Sequence, residues 1–246
     1  MDDDISTLIL STREYYEEFV MRIFINSADT NELHTALTSG YVYGVTTNPT
    51  ILRQAGVSAR QVPSLTQQII DWGAREVHLQ TYAETAPNIT NEGRMLSAIN
   101  SERVVVRVPA TPAGFAASRQ LIDQGVRVSM TAVYTLRQVL LSESVGATYV
   151  VVYLGRMRDT GLDGMTQISQ MQQLLAAQRG QIRMMVGSVR EVSQIETLAM
   201  QGVSAATMPA FVLEDLVESP ATASAAAGFR ADAEAILDQP GSIGGH

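Results

Sequence analysis

Amide, hydroxyl and guanidinium side chains recur at the ends of short apolar runs in this sequence. They are Asn26; Thr46, Thr47 and Asn48; Gln80; Arg107; Thr131; Tyr153 with Arg156; and Ser188 with Arg190. The set is rich in hydrogen-bond donors and short of carboxylates. Thr131 and Tyr153 carry hydroxyls able to hold a water or relay a proton, and Asn26 and Gln80 are amides that both donate and accept. Arg156, Ser188 and Arg190 suit a phosphate clamp, because forked guanidinium donors match anionic oxygens. The bland alternative is that each polar residue merely ends a strand.

Composition narrows the chemistry further. All 17 basic residues among the 246 are arginine, where about a dozen lysines are expected from average usage. With no side-chain amine, no side chain can form a Schiff base with a carbonyl; only the α-amine of Met1 remains, far from any motif. The absence of cysteine excludes disulfides, thiol nucleophiles and zinc–thiolate sites. His34, His78 and His246 show no metal-binding spacing, and Asp159, Asp163 and Asp2–Asp4 read as solvated charge, so neither a metal nor another cofactor is expected. A net charge of −8 argues against a nucleic-acid partner, whose phosphates demand a basic face. No apolar run reaches the roughly 18–20 residues of a membrane span. The start, Met1-Asp2-Asp3-Asp4, is acidic where an export signal would be basic, which points to a cytoplasmic protein.

These residues must be positioned by something regular. Residues 1–20 read as an acidic extension with a short helix over Ser11–Phe19, and 21–246 as one domain. Strand candidates are Ile23–Asn26, Tyr41–Thr46, Glu76–Gln80, Arg103–Val108, Arg127–Thr131, Thr148–Tyr153, Arg183–Val186 and Ala205–Met208. Several are nearly continuous in Val, Ile and Met, as strands buried on both faces should be. Helical periodicity marks Thr30–Leu37, Arg60–Trp72, Thr85–Ile99, Pro112–Gln124, Leu136–Ser144, Met165–Gln178 and Val192–Met200. Gly40, Gly125 and Gly202 stand where helices should end. Eight such units predict an α/β fold, a closed parallel (β/α)8 TIM barrel, with an extra C-terminal helix over Ala221–Leu237. A doubly wound sheet is the runner-up, but no Gly-rich dinucleotide loop follows the first strand. In such barrels catalytic side chains gather at the C-terminal strand ends, where the polar set falls.

Four strings carry a family resemblance: Ile23-Phe24-Ile25-Asn26-Ser27-Ala28-Asp29, Gly44-Val45-Thr46-Thr47-Asn48-Pro49-Thr50, Val105-Val106-Arg107-Val108-Pro109-Ala110-Thr111 and Thr131-Ala132-Val133-Tyr134. The chain resembles transaldolases, most closely the short fructose-6-phosphate aldolase type, from Met21 to about Phe229. The resemblance implies a TIM barrel and a homo-oligomer whose C-terminal helix docks on a neighbour. It also implies a Schiff-base lysine in a VxKVPxT segment, and that position is Arg107. A guanidinium cannot supply the neutral amine. The family's first-strand aspartate is matched by Asn26, and a sugar-binding asparagine by Gly155. Its water-holding trio is matched by Gln80, Thr131 and Tyr153, its phosphate site by Arg156, Ser188 and Arg190, and its substrate contacts by Thr46 and Asn48. The nucleophile is lost and the cradle kept. Three readings follow: an enzyme acting on a small phosphorylated substrate without a Schiff base, a paralogue that binds sugar phosphates without turnover, or a lysine-free variant of an aldolase.

Overall fold

The computed structural model describes residues 20–178 and 180–237; the expected helix over Ser11–Phe19 lies outside them. Eight parallel strands close on themselves in chain order: β1 (Arg22–Ile25), β2 (Gly44–Thr46), β3 (Glu76–Gln80), β4 (Val104–Pro109), β5 (Val128–Val133), β6 (Tyr149–Tyr153), β7 (Arg183–Gly187) and β8 (Ala205–Met208), with β8 paired to β1. This is the expected (β/α)8 barrel. The helices are α1 (Thr30–Thr38), α2 (Pro49–Gln54), α3 (Val62–Asp71), α4 (Ala86–Ser97), α5 (Pro112–Asp123), α6 (Leu136–Ser144), α7 (Leu154–Asp159), α8 (Gly164–Gln178), α9 (Val192–Met200), α10 (Ala210–Val217) and α11 (Pro220–Leu237). Two compact units are distinguished, the first ending at Leu213 and the second beginning at Glu214.

The strands read as near-continuous apolar runs because barrel strands are buried on both faces. Val104, Val105, Val106 and Val108 of β4 are all fully buried. Inside the barrel, Phe24, Val105, Tyr149, Val151, Met185 and Ala205 form one cluster. His78 stacks edge-on against Phe24 and Tyr149, with ring centroids 5.1 and 4.9 Å apart, a geometry favoured by the ring quadrupoles.

Below this layer lies a polar cluster. Glu76 accepts from the Tyr149 hydroxyl (2.7 Å) and from Arg127 Nη1 (2.9 Å), and Arg22 Nη1 approaches it at 3.5 Å. Burial alone would raise the Glu76 carboxyl; the hydrogen bond and charge of His78, then Tyr149 and Arg127, outweigh it and hold it at about 2. Burial drives His78 the other way, toward the neutral imidazole, against the pull of Glu76 and with repulsion from Arg107 and Arg127 added.

Several boundaries depart from the sequence expectation. β2 begins at Gly44, not Tyr41, although Tyr43 still bonds to Ile23 (2.7 Å) and Arg75 (2.9 Å). The helix expected from Arg60 opens as a 3-10 turn over Ala59–Gln61 before α3. Helices α2, α7 and α10 were not expected; α2 has a legible start, since Asn48 caps it and Pro49 sits in its first turn. Gly125 and Gly202 take φ of 80° and 78° after their helices, a region that glycine enters without steric cost.

Candidate active site

The C-terminal ends of the strands bring most of the expected residues to one mouth. Arg107 is the one charged residue of β4 and is only 2% exposed. Its Nη1 donates to the Thr47 carbonyl (3.1 Å), and its Nη2 donates to Thr131 Oγ1 (2.9 Å) and the Tyr153 hydroxyl (3.0 Å). Thr131 and Tyr153 are themselves bonded at 2.7 Å. These contacts cross from β4 to the end of β2 and to β5 and β6.

The hydrogen count of this cluster has a chemical consequence. Two hydroxyls carry two protons, and one occupies the bond between them. Since Arg107 donates into both oxygens, the remaining hydroxyl proton has no acceptor within the trio. The cluster therefore offers a proton donor beside a fixed positive charge, an arrangement suited to an oxyanion.

Backbone strain occurs at the same rim. Ala132 takes φ of 56° where the β5–β6 register shifts between Met130 and Val133, and Ser188 takes φ of 59° just beyond β7. Left-handed backbone is costly for residues with a Cβ and tends to cluster at functional sites. Here it flanks Thr131 and sets Ser188 itself.

The other expected residues are placed as follows. Thr46 Oγ1 bonds to Asn26 Oδ1 (3.1 Å) and to Thr207 Oγ1 (2.6 Å), joining β1, β2 and β8. Asn48 spends its carbonyl oxygen on the Ile51 N–H as the α2 cap, at 3.0 Å. Gln80 is the register partner of Arg107; among the described residues it makes no direct hydrogen bond to Thr131 or Tyr153, which are bonded to each other and to Arg107. Arg156, on α7, lies over the Tyr153 ring with its guanidinium carbon 4.9 Å from the centroid. Arg190 is engaged by a carboxylate: its two Nη atoms donate to Asp159 at 2.8 and 2.6 Å. The Arg190 hydrogen bond, ahead of the fields of Arg158 and Arg156, holds the Asp159 carboxyl below its ordinary range. Asp163 caps the start of α8 through Thr166.

Gly155 is a packing requirement. A Cβ built there would lie 2.6 Å from the Ser188 carbonyl oxygen, 2.7 Å from Ser188 Oγ and 2.9 Å from Arg190 Nε. Sequence reasoning missed Thr207 and the partner role of Asp159. Thr207 could have been found by its alternation with Ala205 along β8, and Asp159 by its position three residues after Arg156 on one helix. A cavity of about 710 Å³ lined by Leu52, Val62, Leu79, Met95 and Ile99 also reaches Thr47, Pro49 and Gln80 at the ends of β2 and β3.

A closed (β/α)8 barrel with a cationic, hydroxyl-lined mouth is thus the class that fold and site define. The chain belongs to the family described as Transaldolase/Fructose-6-phosphate aldolase, which it matches over residues 23–242. It is 34% identical to a probable transaldolase of Herpetosiphon aurantiacus over 218 residues, covering 89% of this chain and 97% of the relative. It is 31% identical to a probable transaldolase of Leptospira biflexa (88% and 99% covered) and to one of Aquifex aeolicus (89% and 100%).

Proposed function

We propose that this chain binds a small phosphorylated, sugar-like substrate across the barrel mouth and transforms it without a Schiff base. The observation that carries this reading is the buried Arg107 bonded to Thr131 and Tyr153 at the position where the resemblance implies the lysine. In this reading Arg156, Ser188 and Arg190 hold the phosphate. Arg107 stabilises an oxyanion that develops on the substrate or its leaving group, and Tyr153 and Thr131 pass the proton to it. Thr46 and Asn26 form the opposite wall.

The phosphate end requires Arg190 to exchange Asp159 for the ligand. Both side chains are about half exposed, and exposed pairs are worth little, so the exchange is inexpensive. A second reading, binding without turnover, is favoured by one feature: the Arg107–Thr131–Tyr153 cluster holds no carboxylate base, and Asn26 Oδ1 is already taken by Thr46. A screen of phosphorylated metabolites with the wild type and Tyr153→Phe separates the two. Turnover that falls at least about a hundredfold in the variant supports catalysis; binding with no consumption of any compound supports the second reading.

The same reading makes the chain a cytoplasmic homo-oligomer assembled through α11. Among the described residues no helix is long and apolar enough to cross a membrane. Within α11, Phe229 and Ile236 are exposed and no residue is buried.

A further inference from the structure

Arg107 is the one fully buried arginine among the described residues. The half-buried Arg22 and Arg127 and the exposed Arg119, Arg158 and Arg190 each meet a carboxylate, while the half-buried Arg103 donates to the Ala74 carbonyl. Arg107 is more deeply buried than any of these, yet no carboxylate pairs with it among the described residues. Its three acceptors, the Thr47 carbonyl, Thr131 Oγ1 and the Tyr153 hydroxyl, are all neutral. Its Nε–H is buried and has no acceptor. A guanidinium withdrawn from water without a counter-charge is held at a cost in free energy, and a bound anion would remove that cost.

We propose that the ligand brings this counter-charge as a carboxylate, so that the substrate class is phosphorylated sugar acids and hydroxy acids. The proposal rests on the reading that Arg156, Ser188 and Arg190 take the phosphate, and it places the carboxylate at the opposite end of the same ligand. A transient oxyanion would neutralise this cation only during turnover, whereas a ligand carboxylate neutralises it for as long as the ligand is bound. Three donors remain for it, the Nε–H and second Nη1–H of Arg107 and the hydroxyl proton left over from the Thr131–Tyr153 pair. Two of them suffice for the two oxygens of one carboxylate. Arg156, Ser188 and Arg190 already supply the larger donor set that a phosphate needs.

Two pairs of compounds that differ only in a carboxylate against a hydroxymethyl group test this by calorimetry. They are 6-phosphogluconate against glucitol 6-phosphate, and 3-phosphoglycerate against glycerol 3-phosphate. The acid of at least one pair should bind the wild type about tenfold or more tightly than its alcohol, as a charge-assisted hydrogen bond requires. In Arg107→Gln and Arg107→Met that preference should vanish while weak binding through the phosphate persists. Equal binding of acid and alcohol in both pairs overturns the carboxylate proposal and leaves the phosphate reading standing. Failure of all four esters to bind overturns the phosphate reading, and with it this one. A preference retained in both variants also overturns the proposal, because the carboxylate then sits elsewhere. Should both variants fail to fold, a crystal structure of the wild type with 6-phosphogluconate decides by whether the carboxylate lies within hydrogen-bond distance of Arg107.

Discussion

The guanidinium of Arg107 reaches three oxygens, on β5, on β6 and just beyond β2, which the point-like ammonium of a lysine, without the fixed planar fork, would not do in the same way. Returning a lysine therefore removes a cross-strand tie as well as adding a nucleophile. That lysine would still need a depressed pKa and a proton acceptor, and Asn26 supplies no carboxylate. Arg107→Lys should thus give at most weak cleavage of fructose 6-phosphate. Arg107→Lys with Asn26→Asp should exceed it by at least about tenfold, the lower end of general acid–base contributions being larger still. A coupled assay of triose release measures both. Family-like turnover from the single change would reinstate the reading of a lysine-free aldolase variant.

At the scale of elements, the proposed phosphate end lies where α7 packs on the segment after β7. Gly155 N–H donates to the Ser188 carbonyl at 3.1 Å, and the space a side chain would need is filled by Ser188 and Arg190. Gly155→Asn, which restores the residue type the family resemblance implies there, must push backbone aside. It should destabilise the protein by about 1–3 kcal/mol, the usual cost of overpacking, and thermal unfolding should show Tm falling by about 2–4 °C for each of these. The same two elements carry Asp159 and Arg190. Asp159 occupies Arg190 as an internal anion, so Asp159→Asn should tighten binding of inorganic phosphate by up to about fivefold at low salt. The gain should shrink as ionic strength rises. Calorimetric titration in two salt concentrations checks both statements.

At the scale of the whole molecule, the barrel is closed at its N-terminal end by the buried Glu76 cluster. The folded-state pKa of Glu76 is depressed to about 2, so its contribution is present above the ordinary carboxylate range near 4.5 and is lost as pH falls from there toward 2. His78 is also depressed; the unfolded chain then binds the extra proton first, and stability begins to fall below about 6.5. Acid denaturation followed by circular dichroism should show both stages. Glu76→Gln should remove the lower one and cost about 3 kcal/mol at neutral pH, because Arg22 and Arg127 lose their carboxylate. Assembly belongs to this scale too. If copies associate through α11, Phe229→Glu should lower the mass measured by light scattering while leaving the circular dichroism spectrum unchanged.

The alternation of apolar runs with helical periods, and the polar residues at the ends of those runs, made the eight strands and the barrel mouth legible from residue order. That information is local: buried strands must be apolar on both faces, and helices must repeat every 3.6 residues. The absence of lysine needed no structure at all, since a missing functional group is missing in every fold. Short elements escaped, because the six residues of α7 hold less than two helical turns of pattern. Contacts between strands escaped for a different reason. Arg107 meets Thr131 and Tyr153 across 24 and 46 residues, and Glu76 meets Tyr149 across 73; such pairings follow from strand order and register, which spacing does not encode. Spacing likewise could not show that Asp159 is set against Arg190 or that Arg107 ties Thr131 to Tyr153. Composition thus determined which chemistry the chain lacks, and the closed barrel decided which of its remaining groups touch.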